Sequence, residues 1–137
     1  MLKLNVIWIF NSSADKVLMC KRRKEPYQGL YNLVGGKVEP EEDGLAAACR
    51  ELEEETGITN IKLCHLMDFT YFLSSRCQIE VYVGRLTHEV KVRGDENELA
   101  WIDIHEDFFD TNRFAGDGNL GHVYRVILNA LAKGDTL

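Results

Sequence analysis

Between Gly35 and Ile58 the chain reads GGKVEPEEDGLAAACRELEEETGI, and this stretch constrains the fold more than any other. From Glu42 to Thr56, Leu45, Ala48, Cys49, Leu52 and Thr56 recur at helical spacing, which predicts a helix with one buried face. Acids crowd its start, where the positive end of the helix dipole favours them, and Gly57 follows as a C-terminal cap. Glu51, Glu54 and Glu55 share a second face, well around the helix from the apolar stripe. Three like charges side by side repel one another. A solvated acidic surface is one reading of such a run. The other is a site for a hard divalent cation such as Mg²⁺, which prefers carboxylate and carbonyl oxygens and bridges them to phosphates. Two neighbours favour the cation. Arg50 stands four residues before Glu54 and can orient an acid, and Gly35-Gly36 carries no Cβ to keep its backbone from a metal or a phosphate.

Around this helix the pattern is mostly strand. Lys3 to Phe10 and Lys16 to Arg22 read as the arms of a hairpin about the turn Asn11 to Asp15. Leu30 to Val34 is a short strand running into the glycines. Two longer strands are predicted at about 61–73 and 76–86, with Ser74-Ser75 as their turn. The acidic loop Arg93 to Glu98 precedes a strand at Ala100 to Ile104, and Asn119 to Ala132 is a closing helix. Hairpins outnumber crossovers. The expectation is therefore an α+β domain: a mixed, mainly antiparallel central sheet with helices on both faces.

The 137 residues suit one domain, read here as 1–137, large enough to bury roughly two-thirds of its unfolded surface. A net charge of −6 argues against binding a nucleic-acid polymer, whose backbone calls for a basic surface. A small phosphorylated substrate remains compatible with it, since a metal neutralises charge locally. Cys20, Cys49, Cys64 and Cys77 form no C-x-x-C pair and read as four buried free thiols of a reducing compartment. No stretch approaches the ~18 apolar residues of a membrane span. A cytoplasmic protein, monomer or homodimer, is expected.

The segment resembles the Nudix box. Gly36, Glu42, Arg50, Glu51, Leu52, Glu54, Glu55, Gly57 and Ile58 all stand at the defining positions, across residues 36–58. The resemblance implies the α/β/α Nudix sandwich and Mg²⁺-dependent hydrolysis of a diphosphate linkage, with Mn²⁺ as an alternative ion. By position, it implies Glu54 and Glu55 as principal metal ligands. Glu51 becomes a further ligand or the base that activates water, oriented by Arg50. Glu42 becomes a supporting acid, and the Gly35 carbonyl part of the metal shell. One more acid usually arrives from a later loop; Glu96 is preferred, with Asp95 and Glu98 as rivals. Glu41 stands where relatives often carry glycine, and Val34 where many carry proline, which implies local backbone changes only.

Residues Val17 to Val38 are similar to the same region of oxidised-purine nucleoside triphosphatases, the MutT-like branch. That likeness implies an 8-oxo-dGTP-like substrate cleaved to monophosphate and pyrophosphate. It implies Asn32 of the Tyr31-Asn32 pair as a purine reader, because an amide can donate and accept at once. Arg22, Gly36 and Lys37 would face the phosphates. Asn119 is a candidate base contact and, with more weight, a helix N-cap. Tyr31, Phe72 and Phe114 are candidates for stacking on a base. The histidines fit no metal spacing, although His122 can line the pocket. A non-catalytic nucleotide-binding module and a hydrolase of another nucleoside-diphosphate-linked metabolite are the competing readings.

Overall fold

The computed structural model describes residues 1–72, 74 and 76–137. Its elements follow the order β1 (Leu2–Phe10), β2 (Lys16–Lys21), β3 (Tyr31–Leu33), α1 (Gly44–Thr56), β4 (Cys64–Tyr71), β5 (Cys77–Arg85), β6 (Glu98–Asp103) and α2 (Asn119–Ala132). Every predicted element is present, with ends shifted by a few residues. Leu73 and Ser75, the end of one predicted strand and half of its turn, lie outside the described residues.

The six strands form one mixed sheet, ordered β3-β2-β1-β5-β4, with β6 on β2. Among the described residues, β1 and β5 are the only strands that run parallel, along the full length of β1, from Leu2 against Cys77 to Phe10 against Arg85. The expected β1–β2 hairpin forms, but the two strands are in register only at Phe10 and Val17. Beyond that point they splay. β2 is paired along its whole length with β6, and β3 takes the other edge of β2 from Met19 to Lys21. The chain then crosses from β2 to β1, where Val34 bridges Ile7 and Lys37 bridges Leu4. The double glycine therefore sits in the fork between two diverging strands.

The sheet buries a core on each face. Trp8, Phe10, Met19, Leu33, Val81 and Val83 pack with Leu120, Val123 and Ile127 of α2. Trp8 stacks on Tyr124, centroids 5.1 Å apart, and meets Phe108 edge-on. On the opposite face Ile7, Ile9, Leu18, Val34 and Tyr82 pack with Ala48 and Leu52 of α1. The period-2 alternation of β1 explains the split, since Ile7 and Ile9 point one way, Trp8 and Phe10 the other.

Helix α1 differs from expectation in two ways. It begins at Gly44, so the acids Glu41 and Glu42 precede it, and Asp43 caps it by accepting from the Ala46 N–H at 3.1 Å. Glu41 holds a positive φ of 69°, the conformation that a glycine at its position would adopt freely. The buried face is Ala47, Ala48, Leu52 and Thr56. Leu45 and Cys49 of the predicted stripe are exposed, because the helix is rolled to turn its acidic side toward the glycine loop. All four cysteines are free, but only Cys20 is buried.

Candidate functional site

A cavity of about 450 Å³ opens between α1, the glycine turn and the loop before β6. Glu51, Glu54 and Glu55 line it from the helix, Gly35 and Gly36 from the turn, Asp95, Glu96 and Asn97 from the loop, and Leu99 from β6. Three segments far apart in sequence thus converge. The i, i+3, i+4 spacing keeps the helix acids on one face, as predicted. Glu98 belongs to β6 opposite Lys21 and does not line the cavity. Asp95 and Glu96 both do.

Arg50 organises the acids. Its Nε and Nη2 donate to the two oxygens of Glu42 at 2.8 and 2.9 Å. Its Nη1 donates to Glu51 Oε1 at 3.0 Å and Glu54 Oε2 at 3.2 Å, and Nη2 also reaches the Lys37 carbonyl at 3.1 Å. Hydrogen bonds from Arg50 and from the Glu39 N–H hold Glu42 down at about 2. The guanidinium is in turn pushed above its usual range, first by Glu42.

Glu55 has the opposite environment. Burial raises its carboxyl to about 7, against a lowering hydrogen bond from the Gly35 N–H, and the charges of Glu51 and Glu96 add to the rise. A buried acid that faces other acids is costly to ionise unless a cation joins it. Among the described residues, no three acid, histidine or cysteine side chains form a ready-made metal cluster. The hydrogen bonds account for this: Glu51 and Glu54 are turned onto Arg50, and Glu55 onto Gly35. The donors around the cavity are carboxylate and amide oxygens, hard ligands of the kind that Mg²⁺ or Mn²⁺ takes. They fit such an ion.

The glycines are required by close approach. A Cβ on Gly36 would stand 2.3 Å from the carboxyl carbon of Glu51, and one on Gly35 would stand 2.2 Å from the Asn5 carbonyl oxygen. Asn5, which the sequence reading did not single out, grips the turn from β1. Its backbone N–H donates to the Gly36 carbonyl at 2.8 Å, and its Oδ1 accepts from the Gly36 N–H at 2.9 Å. The only signal in the sequence was a polar residue inside an apolar strand.

Of the residues assigned to substrate, Gly36 lines this cavity, while Arg22, Asn32, Lys37 and Asn119 are not among its lining residues. Arg22 is half-buried at the end of β2, near enough to Glu55 to lower its pKa, with Nε donating to the Pro26 carbonyl at 2.6 Å. Asn32 sits in β3 opposite Cys20, and its Oδ1 accepts from the Leu33 N–H at 2.8 Å. Lys37 is exposed. Asn119 is not the cap of α2. Gly118 holds that position without a side-chain bond, and Asn119 is the first helical residue, its amide donating to the Tyr71 hydroxyl. Tyr27 donates to Asp117 at 2.7 Å across the same end of α2. Phe114 is core rather than a stacking surface, Tyr31 is half-buried, and Phe72 is exposed. His122 is exposed and lies against Phe69.

A stretch of 44 residues is 43% identical to an ADP-ribose pyrophosphatase of Methanocaldococcus jannaschii; it covers 32% of this chain and 26% of that protein, about a quarter of the relative's length. The fold is similar to that of a MutT from Aliivibrio salmonicida or Vibrio cholerae, at 28% identity over 93% of this chain and 98% of that one, with a TM-score of 0.73. It is also similar to a Caenorhabditis elegans Ap4A hydrolase, at 20% identity over 97% of this chain and 99% of that one, with a TM-score of 0.77, a likeness of fold alone. Residues 1–121 match the NUDIX domain, a span that takes in all six strands, α1 and the whole acid cavity, and the chain belongs to that family.

Proposed function

We propose that this chain hydrolyses a diphosphate linkage in a purine nucleoside triphosphate, giving the monophosphate and pyrophosphate. The observation that carries the reading is the convergence of Glu51, Glu54, Glu55 and Glu96 on one cavity floored by Gly35 and Gly36. Glu54, Glu55, Glu96 and the Gly35 carbonyl would hold Mg²⁺ or Mn²⁺. When bound, such an ion supplies charge neutralisation at the phosphates and a lowered pKa for water. Glu51, restrained by Arg50, accepts the proton of the attacking water. Arg50 is itself fixed by Glu42 and so keeps Glu51 from swinging away. Arg22, Gly36 and Lys37 face the phosphates, and the bare glycine turn lets them come close.

Asn32 and Asn119 are the base-reading candidates. Tyr31 pairs on its outer edge with Phe114, and Gly116 to Asn119 follow directly, so the α2 terminus lies beside β3. A substrate that meets both the acids and Asn119 passes this edge. The likeness to a MutT over nearly the whole of both chains supports the triphosphate reading. The local identity to an ADP-ribose pyrophosphatase supports a second one, another nucleoside-diphosphate-linked metabolite.

The test is a pyrophosphate and phosphate release screen with Mg²⁺ over 8-oxo-dGTP, dGTP, ADP-ribose and diadenosine polyphosphates, with Glu54→Gln as the blank. Cleavage of purine triphosphates by the parent alone supports the reading, and Asn119→Ala and Asn32→Ala should then raise KM. Cleavage of ADP-ribose alone overturns the substrate, and cleavage of nothing overturns the enzyme.

A further inference from the structure

Asn5 is 2% exposed, yet it is a polar residue between the apolar Leu4 and Val6, and its Nδ2 has no partner. Burying an amide with an unmet donor is unfavourable, so its place in β1 needs a reason. The ladder around it supplies one. Where Val34 to Val38 run along β1, Ile7 N–H donates to the Val34 carbonyl at 2.8 Å and Val38 N–H to the Lys3 carbonyl at 2.9 Å. In a regular antiparallel pair Asn5 and Gly36 would exchange two backbone bonds. They make only one, from Asn5 N–H to the Gly36 carbonyl. The Gly36 N–H goes to the Asn5 side chain instead, and Gly35, at φ 151°, approaches the Asn5 carbonyl so closely that an added Cβ would stand 2.2 Å from it. The Gly35–Gly36 peptide is thus turned out of the ladder. On one side of that peptide the Gly35 N–H donates to Glu55 at 3.3 Å, and on the other Gly36 lies so close under the Glu51 carboxylate that a Cβ there would stand 2.3 Å from it.

We infer that Asn5 is a positioning residue: its Oδ1 replaces a backbone carbonyl and holds the Gly35–Gly36 peptide out of the ladder, which fixes Gly35 beside Glu55 and Gly36 beside Glu51. The inference rests on the metal-site reading above for its consequence, but its structural content is independent of any activity.

The experiment compares Asn5→Leu, which keeps the approximate shape and loses the acceptor, with Asn5→Asp, which keeps an oxygen. The first readout is hydrogen exchange of the Gly36 amide in metal-free protein. In Asn5→Leu it should quicken at least about 10-fold while the Ile7 and Val38 amides keep their protection. The second readout is an Mg²⁺ titration followed on the Gly35 amide resonance, whose midpoint should rise about 10-fold, the usual scale for loss of a group that orients metal ligands. Asn5→Asp should keep Gly36 protection near the parent's. If Asn5→Leu does not fold, Asn5→Ser, whose hydroxyl is too short to reach Gly36, takes its place. Unchanged exchange at Gly36 overturns the inference, as does equal loss at Ile7, Gly36 and Val38, which marks a general fault in the strand. If the parent cleaves no nucleotide, the proposed function fails, while the Gly36 exchange still decides the role of Asn5.

Discussion

Arg50 and Glu42 are joined by two parallel hydrogen bonds, at 2.8 and 2.9 Å, so the guanidinium is clamped before it reaches Glu51 and Glu54. Such a fork needs a planar group with fixed donors, and a lysine ammonium cannot reproduce it. Arg50→Lys should therefore lower kcat by about 10- to 100-fold, with a much smaller effect on thermal unfolding. Steady-state kinetics beside calorimetry check this. An equal loss in both would make Arg50 a structural residue only.

The same pair sets an acid limb of stability. Glu42 titrates at about 2 in the fold against an ordinary 4.5. A depressed carboxyl contributes stability that is present above its unfolded pKa and lost as pH falls through the folded one. The window is thus about pH 4.5 down to 2. Glu42→Gln should be less stable than the parent at neutral pH, and the gap should close across that window in paired melts.

Gly36→Ala should cost at least about 100-fold in activity, since an added methyl at 2.3 Å forces Glu51 to move by an ångström or so. The contact is with a side chain rather than with backbone, so the fold should survive, and circular dichroism should be unchanged. Activity near the parent's would show that Glu51 tolerates displacement.

Leu52 and Leu45 separate the predicted helix face from the real one. Leu52 is 1% exposed and Leu45 is 44% exposed. Leu52→Ala should lose 2–5 kcal/mol, roughly, in urea unfolding, and Leu45→Ala about 0.5 kcal/mol or less. Comparable losses at the two would restore the stripe drawn from sequence alone, which held both leucines.

Mg²⁺ should raise the melting temperature of the parent in a saturable way. A ligand bound only by the folded state adds about 2.7 kcal/mol at 100 times its Kd. Glu55→Gln should abolish most of that response while raising the metal-free melting temperature, because a buried carboxyl facing Glu51 and Glu96 is replaced by a neutral amide. Differential scanning fluorimetry over an Mg²⁺ series decides it.

Local chemistry explains what was legible in the sequence. The helix acids, Arg50 and the glycines announce themselves by fixed spacing, and each strand by its own alternation. Tertiary arrangement is another matter. The roll of α1 that exposes Leu45 and Cys49 depends on how the helix docks, and a helical repeat with alanines on two sides is satisfied by more than one face. Asn119 was read as a cap because asparagine favours that position, but Gly118 takes it, leaving the amide to Tyr71 from a strand 48 residues away. Asn5 stands out in sequence only as a polar residue in an apolar strand, because the partner that explains it is 31 residues distant. The start of β6 sets Glu98 apart from Asp95 and Glu96, which both line the cavity.

The sheet that divides the interior into two cores also divides the molecule's history into two problems. Everything proposed to break a bond belongs with α1 and the hemisphere beneath it, while Asn119 and its neighbours belong with α2. If Asn119 reads the base as proposed, a substitution at Leu120, Val123 or Phe114 should alter substrate preference without reaching the acids. On that proposal, preference and chemistry sit in separate halves of the molecule, and either can change while the other is kept.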